Sequence, residues 1–418
     1  MESRPSLVLC NVTLPSGRVA DITLGKGIVV HTGSSNPSTA RIDCSGLIVL
    51  PAAIDMHVHM RGGLQSEKED WRSGSMSALA GGVTVVVDQP NTIPPLCSPG
   101  SFERRVRDAG KNSLCHFAIN SSVTADTPFD AMWKVGTMAF GETFFAPSSY
   151  GDSIGGDALA LALERIRSLG GLATIHAEEI TQGPDTGLAT HDRVRPIRGE
   201  VRAVRAVQKL NAAGCRIHFC HLSSSQSIQA ARGSVEVTPH HLFLSREDFN
   251  NDDTRGKVNP PIRSAKERKT IWKQWNKIDV IASDHAPHTS EEKKQVFGTA
   301  PSGIPGVETM VPLLLAQVVE GRISKESLID KTVNAPSKIL GIPRSGFDAG
   351  DRADFALYGK TATPVRAELL HSRCGWTPFE GKMAVFPDTV IMGGGVVYRD
   401  GEFFKSEPLW FPGKGFDR

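Results

Sequence analysis

Between residue 51 and about residue 285, short β-branched runs alternate with stretches of helical period, and that alternation leaves few folds open. The strand candidates are Ile54–Met60, Val83–Asp88, Leu114–Ile119, Glu142–Ala146, Leu172–His176, Arg216–His221, Ser234–Thr238 and Asp279–Ser283. Between them lie helical segments such as Ser66–Ala80, Ser98–Ala109, Gly156–Leu169, Glu200–Ala213 and Ser264–Asn276. Strands separated by helices pair in parallel, and eight such units over roughly 250–300 residues suit a (β/α)8 TIM-type barrel. A doubly wound sheet is the competing fold, but no Gly-x-Gly-x-x-Gly follows the first strand.

The flanks read differently. Leu7–Cys10, Val19–Thr23, Gly27–Val30 and Ala40–Asp43 are short β segments broken by turns, and β texture returns at Ala353–Tyr358, Thr389–Met392 and Gly395–Tyr398. We expect one small β-sandwich domain built from both chain ends, residues 1–50 plus 345–418, beside a barrel over 51–344.

Composition narrows the function classes. Across 418 residues the formal charge is +2, and no basic run suggests nucleic acid or a membrane surface. No apolar stretch reaches the ~18 residues of a membrane span, and the first residues lack the pattern of a signal peptide. Seven cysteines without a Cys-x-x-Cys pair argue against a disulfide framework or a thiolate metal site, and for a reducing cytoplasm.

The polar residues at the strand ends carry the chemistry. His57 and His59 are two apart, so in a strand they share a face, with Arg61 on that face if the strand continues. His176, His221 and Asp284 each close a later strand, on the rim where barrel active sites sit. Imidazole and carboxylate donors without thiolate suit a hydrolytic Zn²⁺ with one position left for water. His218 reads as a deeper or supporting residue, and His240 and His241 as loop or supporting residues. The polar loop 288–297 is either a lid or an ordinary barrel loop.

Together these segments resemble a known family. Asp55-Met-His-Val-His-Met-Arg61, Asp88-Gln-Pro-Asn-Thr92, Ile175-His-Ala-Glu178, Cys220-His-Leu-Ser-Ser224, Val258-Asn-Pro-Pro-Ile-Arg263, Ala282-Ser-Asp-His-Ala-Pro-His288 and Gly303-Ile-Pro-Gly-Val-Glu-Thr309 look like the class I dihydroorotases of the amidohydrolase superfamily. The resemblance implies the reversible cyclisation of N-carbamoyl-L-aspartate to L-dihydroorotate in pyrimidine synthesis, through zinc-activated water. It implies one or two zinc ions, with His57, His59 and Asp284 on the more buried one and His176 and His221 on the more exposed one. Asp284 would be the catalytic general base and acid. Arg61, Asn91 and His288 would hold the substrate carboxylate, and Asn259 would contact the ring. It leaves open a homo-oligomer or association with aspartate carbamoyltransferase. The competing readings are a related cyclic amidase (hydantoinase, dihydropyrimidinase or allantoinase) and a catalytically silent partner protein.

One departure stands out. Where such enzymes commonly carry a carboxylated lysine at the end of strand four, this sequence has Glu142, whose carboxyl carbon sits roughly 3–4 Å nearer the backbone. Either strand four shifts inward, or a water completes the bridge, or one zinc binds. Asp152 is the weaker substitute.

Overall fold

The computed structural model describes residues 7–33, 40–145 and 153–416. Asp152 and Ala146 lie outside the described residues.

Leu7–Thr13 (β1), Val19–Gly25 (β2), Ile28–Gly33 (β3) and Arg41–Asp43 (β4) form a sheet of order β3-β2-β1-β4. Ile48–Pro51 (β5) follows, and then eight strands whose pairings are all parallel. These are Ala53–Val58 (β6), Val83–Asp88 (β7), His116–Ile119 (β8), Phe140–Phe144 (β9), Leu172–His176 (β10), Arg216–Phe219 (β11), Ser234–Val237 (β12) and Val280–Ile281 (β13). They pair as β6-β7-β8 and as β9 to β13 in sequence order. Parallel bridges Ser121–Phe140 and Val58–His285 join the two sheets at both margins.

Side chains alternate along β6, as a pleated strand requires. Ile54 and Met56 join Val85, Val87, Val280 and Ala282 in an apolar cluster with Leu340 and Ile342. Asp55 and His57, alternating with them on the other face, are buried and hydrogen-bonded to polar partners. The helices cover the strands through a larger core that includes Trp71, Phe102, Leu163, Val204, Val207 and Leu314. Each such fully buried side chain contributes about 1.5–3 kcal/mol from area removed from water.

The helices match expectation with shifted starts. The first begins at Trp71, not Ser66, because Asp70 and Ser73 form a reciprocal capping box there. The helix expected from Glu200 runs Ile197–Leu210, entered through Pro196. Pro239–Phe243, expected as loop, is a short helix holding His240 and His241.

After the strands come Phe355–Tyr358 (β14), Thr363–Pro364 (β15), Met383–Ala384 (β16), Pro387–Met392 (β17), Gly395–Arg399 (β18) and Glu402–Phe403 (β19). β14 pairs antiparallel with β5, giving a sheet of order β19-β18-β17-β14-β5. Leu9, Ile22 and Leu24 share one apolar core with Phe355, Leu357 and Ile391. Other late residues pack against the parallel strands: the Phe117 N–H donates to the Leu409 carbonyl and the Phe411 N–H to that of Phe117. No helix among the described residues is long and apolar enough to cross a membrane.

Candidate active site

His57, His59, Glu142, His176, His221 and Asp284 converge where β6, β9, β10, β11 and β13 end. β6 stops at Val58, so Arg61 is not a continuation of the strand, as the sequence left open. Arg61 has φ +46°, and the Met60 N–H donates to Asp88 Oδ1. His221 and Asp284 also sit at positive φ, 34° and 48°. For residues other than glycine this region costs about 1–2 kcal/mol. All three strand ends therefore turn sharply at the rim.

Glu142 is the junction of the cluster. Its Oε1 lies 2.7 Å from His221 Nε2 and 2.9 Å from His176 Nδ1, and its Oε2 is 3.6 Å from His57 Nε2. The ladder explains the reach. Ala173 pairs with Phe140 and Ile175 with Thr143, so β9 carries one extra residue opposite β10, a bulge that carries the shorter side chain inward. Gly141 lies in it at φ +129°, and a Cβ there would stand 2.1 Å from the Thr174 carbonyl. Gln89 Oε1 holds the bulge by accepting from the Glu142 N–H at 3.1 Å. The irregularity falls at Glu142, whose carboxylate meets His176 and His221.

The other donors form a second corner. Asp284 Oδ1 is 3.3 Å from His59 Nε2 and 3.5 Å from His57 Nε2. His57 Nε2, His59 Nδ1 and His221 Nδ1 are buried without a hydrogen-bond partner. Ligands about 2.0–2.2 Å from a tetrahedral cation stand roughly 3.3–3.6 Å apart, which is the spacing around His57 Nε2. Two groups of donor atoms, His57–Glu142–His221 and His57–His59–Asp284, each lie within 4.8 Å of one another. The donor set fits a divalent cation.

Charge agrees with that fit. Burial penalises the Glu142 carboxylate, but the facing His57, His176 and His221 outweigh it and hold the group well below the usual carboxylate range. Burial likewise works against Asp284, and His57, His59 and His221 reverse it, so the carboxylate stays ionised.

Several supporting residues had no role assigned from sequence. Glu236 Oε1 lies 3.1 Å from His57 Nδ1 and accepts the His221 backbone N–H, while its Oε2 is 2.9 Å from His218 Nε2. His218 is thus a supporting residue, as read. Glu178 Oε2 lies 2.9 Å from His176 Nε2 and is paired with Arg195. Burial opposes the Glu178 carboxylate, but Arg195 and His176 hold it down at about 2. A lone glutamate amid apolar strand residues, as in Ser234-Val-Glu-Val237, was the available signal, since a buried carboxylate needs a partner.

A cleft opens onto the cluster, lined by His59, Arg61, Asn91, Asn259 and Asp284 among others. Asn91 Nδ2 lies 3.4 Å from Glu142 Oε2. His288 stands behind Arg61, its Nε2 3.4 Å from the guanidinium. Burial pushes the His288 imidazole down to about 3. The segment after His288 contains a helix, Ser290–Lys293. Lys293 Nζ donates to the carbonyls of Lys257 and Pro301, Lys257 Nζ to those of Phe297 and Ala300, and Trp376 Nε1 to that of His288.

Candidate cation ligands and a cleft at the ends of parallel strands suit a metal-assisted hydrolase, and relatives of the chain narrow this class. The chain is 39% identical to the dihydroorotase of Methanosarcina acetivorans, over 92% of this chain and 89% of the relative. It is 37% identical to the dihydroorotase of Halobacterium salinarum, over 94% and 97%. The chain belongs to the dihydroorotase family. No family model matches it. Among solved structures, L-hydantoinase (dihydropyrimidinase) from Arthrobacter aurescens has a TM-score of 0.89 at 25% identity, covering 97% of this chain and 99% of that one. Dihydropyrimidinase from Brevibacillus agri follows at 0.86 and 21% identity, covering 98% and 99%, a likeness of fold alone.

Proposed function

We propose that this chain is a dihydroorotase, interconverting N-carbamoyl-L-aspartate and L-dihydroorotate. The observation that carries the reading is Arg61 lining the same cleft as Glu142, His176, His221 and Asp284. A fixed guanidinium suits a carboxylated ring, because it grips a carboxylate through two charge-assisted hydrogen bonds.

In this reading the eight parallel strands are a (β/α)8 barrel over 51–344, supported by the bridges at both margins. Residues 1–50 and 345–418 contribute a composite β-sandwich domain, supported by the core that residues 7–49 share with 353–391, while Leu409 and Phe411 lie on the parallel strands. The cation this site would take is Zn²⁺, one or two per chain: His57, His59 and Asp284 would hold one, and His176 and His221 a second, with Glu142 available as a further ligand. Zinc, when bound, lowers the pKa of water to about 7 and polarises a carbonyl.

The chain's own groups do the rest. Arg61 and Asn91 hold the ring carboxylate, with His288 backing Arg61, and Asn259 contacts the ring. Asp284, ionised at neutral pH, takes the proton from the attacking water. It returns that proton to the ring nitrogen as the amide bond breaks, and ring closure reverses both transfers. We place the enzyme in the cytoplasm, as a homo-oligomer or in association with aspartate carbamoyltransferase, and sizing of the purified protein with and without the transferase distinguishes the two.

Zinc per chain on purified protein, paired with a dihydroorotate hydrolysis assay, tests the reading. Two zincs with activity, one of them lost in Glu142→Ala, is the expected result. Metal without dihydroorotate turnover would overturn it in favour of another cyclic amidase.

A further inference from the structure

Behind the part of the cleft wall formed by Asn259, the His191 ring lies between acceptors. Its Nδ1 faces both Asp185 carboxylate oxygens at 3.0 Å. Its Nε2 lies 3.1 Å from the Val258 carbonyl and 3.0 Å from Asn259 Oδ1. A carboxylate and a backbone carbonyl both only accept, so both ring nitrogens carry protons, Nδ1 donating to Asp185 and Nε2 to the Val258 carbonyl and the Asn259 side chain. The Ser302 hydroxyl donates to the same Asn259 oxygen at 3.2 Å.

The His191 N–H, fixed by the Val258 carbonyl, decides which end of the carboxamide is which, and the Ser302 hydroxyl, able to serve either end, then donates to Oδ1. The reversed amide would set its NH₂ against the His191 N–H, donor against donor. Asn259 lines the cleft. With its oxygen engaged in the wall, the NH₂ is the polar group left to a bound molecule. His191 is buried and packs edge-on to Phe297 at 5.8 Å, so the ring is held in place.

We infer that His191 and Ser302 are positioning residues that make Asn259 a hydrogen-bond donor to the substrate, so that the substrate atom opposite it is a carbonyl or carboxylate oxygen and not a ring N–H. This rests on the reading of the cleft as the dihydroorotate site.

The test is equilibrium binding of L-dihydroorotate by titration calorimetry on metal-loaded protein, with Asp284→Asn present to prevent turnover. Wild-type turnover is measured separately. Asn259→Asp should bind roughly tenfold more weakly than Asn259→Ala, since it sets a carboxylate oxygen against the substrate oxygen. His191→Leu and Ser302→Ala should each weaken binding roughly three- to tenfold. His191→Gln, which keeps an N–H near the place of Nε2, should stay within about twofold of the parent. Asn259→Asp binding as well as the parent would overturn the inference, and so would equal binding by His191→Leu and His191→Gln. The expected binding pattern without wild-type turnover would overturn the enzyme reading and leave the inference standing.

Discussion

Nδ1 of His57 lies 3.1 Å from Oε1 of Glu236, a contact between the first and seventh parallel strands. Because a carboxylate only accepts, that nitrogen carries the proton and Nε2 turns its lone pair to the cluster. The same oxygen takes the His221 backbone N–H, so one side chain orients two proposed ligands. Glu236→Gln should lower metal affinity about 10–100-fold with the far-ultraviolet circular dichroism of wild type. Competition against a chelating dye measures this, and unchanged affinity would count against the role.

Asp284→Asn tests the proton carrier. The amide keeps a donor oxygen near His57 and His59, so metal content should hold near wild type. Losing a general base costs about 10²–10⁴-fold in kcat. Retained metal with retained turnover would remove Asp284 from the proton path.

Arg61→Met tests substrate choice. Two hydrogen bonds to a charged group, at about 1.5–3 kcal/mol each, put the loss in kcat/KM for dihydroorotate at roughly 10²–10⁴-fold. Any trace hydrolysis of hydantoin, which bears no carboxylate, should be spared. Equal losses on both rings would show that Arg61 serves the fold and not the carboxylate.

His116, remote from the cleft, gives a pH dependence. Burial pushes its imidazole down to about 4, against the pull of Asp354, and its Nδ1 accepts the Leu409 N–H at 2.8 Å. The folded state therefore holds the ring neutral where the unfolded chain, near 6.5, takes up a proton. The sign follows: this contribution is present above about pH 6.5 and is lost as pH falls towards 4. His116→Asn, which keeps an acceptor for Leu409, should show a flatter decline of metal-free urea midpoints between pH 6.5 and 4. Parallel declines in both proteins would place the acid sensitivity elsewhere.

Much of this was legible from residue types and spacing. The parallel strands could be read because β-branched runs and amphipathic helices differ in period, and His57, His59, His176, His221 and Asp284 could be read because each closes such a run. The reach of Glu142 could not be read. It depends on the extra residue of β9 opposite Ala173–Ile175, a property of pairing that one strand's sequence does not display. Glu236 and His191 stayed hidden for a related reason: their partners are 179 and 68 residues away, and spatial adjacency alone gives them a role. Arg61 was placed by extending a strand that in fact stops at Val58, where Asp88 takes the Met60 N–H.

β5, at residues 48–51, completes its sheet only by lying against β14, at 355–358. During synthesis the early strand is therefore made some 300 residues before its partner, a wait of tens of seconds at about 5–20 residues per second. Through that interval Val49 and Leu50, buried in the finished protein, have no β14 to cover them. The nascent chain thus carries a short, sticky edge until β14 is made, and that interval is when chaperone binding would matter most to its yield.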